Sequence, residues 1–273
     1  MPYTPTGDEF FKGDLCTDVP LRFQLLALLH LISSYPNVCT YFPSVQSIRV
    51  LKKMNLLDVG MMWYVKTQNL YVPDDFVPFK AACEKSGARF MVIYLVYSGE
   101  DIQLSNHANM VVYDMKKKVL ERFEPNGKYL GSQYGSDKLD MEIVKLFPGA
   151  KYFGPANYGT RSKAIQVLQH AEAVTVEGDF GGWCQSWSLF YADARLQNPD
   201  TPINELLEAL IDVFIKKRKS MTQYIRDYTY FVARNIKHTV DFVSFRKFAS
   251  QTLAGYKHVI HDTAAVRRST RLT

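Results

Sequence analysis

The stretch that most restricts what this chain can become is RFMVIYLVYS, residues 89–98. Its centre, MVIYLVY at 91–97, is β-branched and aromatic throughout. Such side chains pack well on a pleated surface, so the run reads as a buried strand. It is the longest apolar run together with LLALL at 25–29, and both fall far short of the ~18 residues a membrane span needs. Other strands are expected nearby. They are MMWYVK (61–66), a hairpin HANMVVYD–MKK–KVLERFE (107–124), a short strand at 150–153, and HAEAVTV (170–176).

Helical spacing flanks this strand-rich region. Leu21, Leu25, Leu28, Leu29 and Ile32 predict a helix over 21–33, and shorter helices are expected at 45–54, 76–86, 137–147 and 161–169. A helix over 184–196 runs to the Asn198-Pro199 stop. The next starts with Thr201 as N-cap and Pro202 as first helical residue, and buries Ile203, Leu206, Leu207, Leu210, Ile211 and Phe214. Another carries Tyr224, Ile225, Tyr228, Val232 and Ile236 on one face, and 239–250 forms a last one. The expected fold is α+β, with a mixed central sheet, the 184–196 helix packed on it, and helical extensions at both ends. One domain over 1–273 is expected, with a lead-in at 1–87, a core at 88–200 and a basic helical extension at 201–273.

At 47% hydrophobic and 22% charged residues, the 273-residue chain is excluded from the disordered and low-complexity classes. Its net charge of +6 is unevenly placed, since residues 215–273 hold 13 Lys and Arg against 3 Asp and Glu. A basic segment over 216–273 fits an acidic partner such as nucleic acid, or equally a solvated helix face and tail. MPYTPTGDEF lacks the pattern of a secretory signal, and Cys16, Cys39, Cys83 and Cys184 show no metal-ligand spacing. A reducing, cytoplasmic setting with free thiols is therefore expected, with no metal and no cofactor.

Three residues carry the chemistry: His107, Glu124 and Cys184. A two-residue turn at Met115-Lys116 pairs Asp114 with Lys117 and puts His107 opposite Glu124. A four-residue loop is expected to keep that register, and a three-residue loop to break it. Opposed strand residues lie ~5 Å apart at Cβ, close enough for the carboxylate to orient the imidazole and stabilise its cation. Asp114 is the poorer acid, because an odd spacing from His107 puts it on the other strand face. Cys184 follows the Gly181-Gly182 turn and opens a helix, where partial positive charge and free N–H groups favour a thiolate. Each residue alone is more often structural, His107 as a strand residue, Cys184 as a small core residue and Glu124 as a surface partner of Arg122 or Lys118; their joint order is what points to a nucleophilic site. Trp183 and Asn109 are placed as substrate-groove residues, with core packing and strand-end roles as their alternatives.

A His, an acid 17 residues later across a hairpin, and a Cys opening a helix resemble the adenain and SUMO-specific protease superfamily. The FEPNG stretch at 123–127 is similar to the acid-bearing segment of adenain. HANMVVYD, RFEPNG and GWCQSWSLFYADARLQNP look like uncharacterised members from large DNA viruses. The resemblance covers roughly 88–200. It implies papain-like active-site geometry in permuted order, with His107 as general base, Glu124 orienting it and Cys184 as nucleophile. Where that family has Trp after the His this chain has Ala108, and where it often has Gly after the Cys it has Gln185. Its oxyanion Gln, six or seven residues before the Cys, is replaced by Gly178 and Glu177, leaving Gln166, Gln169 and Gln185 as substitutes. The implied activity is endopeptidase cleavage of viral precursors or ubiquitin-like conjugates. The alternative is a catalytically weak or inactive peptidase-like fold serving as a structural or minor capsid component of a large DNA virus particle, with capsid proteins as partners.

Overall fold

In the computed structural model the described residues are 20–41, 60–98, 107–127, 134–158, 164–173, 183–217 and 220–239. They form seven strands and eight helices. The strands are β1 (Val38–Thr40), β2 (Met61–Tyr64), β3 (Asn69–Tyr71), β4 (Phe90–Ser98), β5 (His107–Asp114), β6 (Val119–Phe123) and β7 (Lys151–Phe153). The helices are α1 (Pro20–Ser34), α2 (Phe76–Lys85), α3 (Ser136–Leu146), α4 (Pro155–Tyr158), α5 (Ile165–Ala173), α6 (Cys184–Gln197), α7 (Ile203–Lys217) and α8 (Met221–Thr239). The expected helix at 45–54, and the one at 239–250 from residue 240 onward, lie outside these residues.

All strands belong to one mixed sheet with β4 at its centre. β1 and β2 share one edge of β4, both parallel to it, β1 along Phe90–Val92 and β2 along Leu95–Ser98. On the other edge β5 runs antiparallel from Phe90–Asp114 to Tyr97–His107. β6 follows antiparallel, and β7 returns parallel to β6. Gly60, at φ +128°, admits the chain to this crowded edge, where a β-carbon would meet the Tyr94 carbonyl oxygen at 2.2 Å.

Helices cover both faces, which explains why β4 is apolar without alternation. Val92, Tyr94, Ala108, Met110, Val112 and Phe123 pack with residues of α1, α6, α7 and α8. Met91, Ile93, Leu95, Tyr97, Val111 and Tyr113 pack on the opposite side with Phe76, Phe79, Leu139 and Ile143. Each such aliphatic or phenyl group taken out of water contributes about 1.5–3 kcal/mol. α6 is buried almost all round, as a helix must be when the sheet lies below it and other helices lie above. Its polar residues are therefore bonded inward. Asp193 accepts from Tyr228 of α8 and pairs with His30 of α1 at 2.9 Å, and Arg195 pairs with Glu121 of β6 at 2.8 Å.

Four expectations are corrected. Residues 170–173 of the expected strand continue α5, consistent with the high helix propensity of Ala171 and Ala173, and 174–176 lie outside the described residues. α7 begins at Ile203, because the Thr201 carbonyl is drawn to Arg195 Nη1 at 2.6 Å and the first helical bond runs from Leu206 N–H to the Pro202 carbonyl. Cys39 and Cys83 are not free thiols. β1 and α2 bring their Cα atoms to 6.0 Å and they form a disulfide. The hairpin loop has four residues, and Asp114 pairs with Val119, not Lys117. The register is therefore shifted by two positions, which preserves the face each side chain points to.

Candidate active site

The start of β5, the end of β6 and the start of α6 converge at one end of the sheet. With the shifted register Glu124 falls level with Asn109, diagonal to His107 on the same face. Strand diagonals are within reach of long side chains, and Glu124 uses its length: His107 Nε2 lies 2.5 Å from Glu124 Oε1. Both groups are buried, with His107 9% and Glu124 1% exposed.

The FEPNG stretch explains how the acid is held. Residues 124–127 form a turn closed by the Gly127 N–H on the Glu124 carbonyl at 2.8 Å. Pro125 stands where a type I turn favours proline, and Gly127 takes φ +60°. The turn aims the Asn126 N–H back at Glu124 Oε1 at 2.9 Å. Tyr158 clamps the same peptide: its hydroxyl accepts from the Glu124 N–H at 2.9 Å and donates to the Arg122 carbonyl. Beneath lies Arg122, a fully buried guanidinium. It donates to Asp140 (2.6 Å), Ser136 (2.7 Å), Asn109 Oδ1 (2.8 Å) and the Tyr97 hydroxyl (3.0 Å). The Tyr97 ring in turn packs 5.7 Å from the His107 ring.

Cys184 is the first residue of α6 and is 6% exposed. Its Sγ accepts the Ala108 N–H at 3.4 Å and also bonds the His107 side chain. Because Nε2 is engaged by Glu124, Nδ1 is the imidazole nitrogen left for the thiol. Burial works against the His107 cation, but the Glu124 carboxylate and the bond and charge of Cys184 outweigh it, so its pKa is pushed up to about 10.

Other expected site residues fall elsewhere. Asn109 is fully buried, and its Oδ1 accepts from Arg122. Trp183, 4% exposed, directly precedes α6 and belongs to the core cluster on that side of the sheet. Gln169 accepts from the Trp187 indole at 3.0 Å. The Gln166 backbone N–H bonds the Pro125 carbonyl at 3.0 Å, seating α5 against the acid turn. Gln166 Oε1 and Trp183 Nε1 are buried without a partner among the described residues. Gln185 is half-buried in the first turn of α6. Asp114 pairs with Arg89 at 2.9 Å, far along β5 from His107. Positions 177 and 178, and the side chains of 216–219, lie outside the described residues. Among the described residues, no group of His, Cys, Asp and Glu could hold a metal ion, and no helix is long and apolar enough to cross a membrane.

Sequence reasoning missed the contacts of Arg122 and Tyr158, and that of Ser188, whose Oγ donates to the Ala108 carbonyl at 3.1 Å. Arg122 had a signal, because period two puts it on the same buried face as Leu120. Ser188 had one too, four residues after Cys184 and so on the same helix face. Tyr158 had none.

No family model matches the chain. It is 24% identical over 250 residues to the putative ankyrin repeat protein L371 of Acanthamoeba polyphaga mimivirus, covering 83% of this chain and 32% of that protein. The chain thus spans about a third of the length of this curated relative. Among solved structures, the effector ChlaDUB of Chlamydia abortus is 15% identical, with a TM-score of 0.34, over 74% of this chain and 95% of its own. The Chlamydia trachomatis effector Cdu1 bound to ubiquitin is 12% identical, with a TM-score of 0.34, over 75% and 97%. ChlaDub1 of Chlamydia trachomatis is 11% identical, with a TM-score of 0.37, over 81% and 98%.

Proposed function

We propose that this chain is a cysteine peptidase of the adenain and ubiquitin-like-protease type. One observation carries the reading: a single imidazole engages Glu124 at 2.5 Å through Nε2 and also bonds the Cys184 thiol at the start of a helix. Glu124 fixes the tautomer and stabilises the imidazolium. His107 takes the thiol proton, and the Cys184 thiolate attacks the substrate carbonyl carbon. His107 then returns that proton to the leaving amine as the C–N bond breaks, leaving a thioester that water hydrolyses. Free N–H groups in the first turn of α6 face the developing oxyanion. Gln166 or Gln185 adds a further donor. Gln169 is the weaker choice, since it is committed to Trp187.

The substrate is a protein cleaved after a small residue, either a ubiquitin-like conjugate or a viral precursor. The test is a set of ubiquitin and SUMO probes with a C-terminal electrophile, alongside a peptide library with Gly or Ala before the scissile bond. An adduct or cleavage that disappears in Cys184→Ala is expected. Failure of every probe on a folded, full-length chain would overturn the reading. A second reading, a peptidase-like structural component of a virion, is favoured by one observation, the burial of Cys184. It predicts no adduct, and incorporation into particles that Cys184→Ala leaves unchanged.

A further inference from the structure

We propose that Ser188 is a positioning residue that sets the Cys184 sulfur against β5, by anchoring α6 to the strand residue next to His107. The proposal rests on the peptidase reading of that site. Ala108 follows His107 in β5. The ladder between β5 and β6 runs from Asp114–Val119 to Met110–Phe123, so Ala108 lies beyond its last pair. The N–H and C=O of one strand residue point to the same side. In Ala108 both turn to α6: the N–H donates to Cys184 Sγ at 3.4 Å, and the carbonyl accepts from Ser188 Oγ at 3.1 Å. Cys184 and Ser188 are four residues apart and share one helix face.

A serine inside a helix ordinarily returns its proton to a carbonyl of its own helix. Ser188 directs it to the sheet, where it satisfies a backbone acceptor that is closed to water. The peptide beside His107 is therefore gripped twice by one turn of α6. Without the Ser188 hydroxyl, the Ala108 carbonyl is left buried and unpaired, and the helix start loses its second point of contact. Among the described residues, the titratable groups that interact with Cys184 are His107 on β5, with Glu124 behind it, and Tyr94 on β4.

Ser186 supplies the internal control. It is a buried serine of the same helix, but its Oγ is turned to α8, where it accepts from Thr229 at 2.8 Å.

The test measures the iodoacetamide alkylation rate of Cys184 against pH, by mass spectrometry, on full-length chains. Wild type, Ser188→Ala and Ser186→Ala are compared, with thermal unfolding measured in parallel. Ser188→Ala is expected to move the midpoint of the alkylation profile upward and to cut the rate at pH 6 about tenfold. Ser186→Ala is expected to lose stability yet keep the wild-type midpoint. Ser188→Cys, a weaker donor of similar size, is expected to fall between them and keeps the test open should the alanine variant not fold. A reactive wild type with Ser188→Ala or Ser188→Cys unmoved would overturn the positioning role alone. So would an equal shift in Ser186→Ala. A wild type that labels as slowly as an ordinary thiol would overturn the peptidase reading, and the proposal with it.

Discussion

Glu124→Gln removes one negative charge from the site and little else. Gln keeps an oxygen to accept from His107 Nε2 and the Asn126 N–H, and its amide takes the place of Oε2, which has no partner among the described residues. The two bonded atoms are 2.5 Å apart, but both charges are delocalised, so their effective separation is about 4 Å. At an effective dielectric of about 20 such a pair is worth about 4 kcal/mol, or about three pH units on the imidazole. His107, held at about 10 in the wild type, is predicted to titrate near 7 in the variant. Imidazole NMR across pH 5–11 reads this shift directly, and the Cys184 alkylation rate at pH 7 falls with it. Stability at pH 7 also drops, because the imidazolium loses its carboxylate partner and because an amide N–H is now buried unpaired, the latter at about 1–3 kcal/mol. A His107 midpoint that moves by less than one unit would refute the electrostatic role assigned to Glu124.

Further outcomes follow from the same geometry. His107 titrates at about 10 folded against 6.5 unfolded, so its stabilising effect is complete below pH 6.5 and is lost as the pH rises toward 10. Urea midpoints should therefore fall more steeply over that interval in wild type than in His107→Gln, and parallel curves would contradict the shift. Arg122→Met should cost about 3–5 kcal/mol in chemical denaturation, because Asp140 loses its buried partner; a variant as stable as wild type would contradict this. Reducing the Cys39–Cys83 disulfide, which spans 44 residues of sequence, should lower stability by about 2–4 kcal/mol and leave the Cys184 alkylation rate unchanged at 20 °C.

Much of this arrangement was legible in the sequence for physical reasons that can be named. β4 announces itself because it is covered on both faces and needs no polar alternation. The shared face of His107 and Glu124 depends on strand parity alone, so it survives a hairpin register misjudged by two. The helix at Cys184 was legible from the Gly181-Gly182 pair that precedes it in sequence and from its distant Asn198-Pro199 stop. What was not legible depends on contacts between distant segments. The Cys39–Cys83 bond requires β1 and α2 to meet on one side of the sheet, and no spacing in the sequence encodes that meeting. Asn109 resembles a substrate contact because it neighbours His107, yet its amide is fixed by Arg122, thirteen residues away and across a hairpin. Tyr158 reaches Glu124 from a four-residue helix, α4, that carries no pattern of its own.

The decisive measurement is the pH profile of Cys184 alkylation in wild type and in His107→Ala. An imidazolium beside the sulfur favours the thiolate. The peptidase account predicts fast labelling of wild-type Cys184 that persists below pH 7, and a His107→Ala profile that rises only near the ordinary thiol value of ~8.5. Identical profiles in the two proteins, both rising near ~8.5, would contradict it.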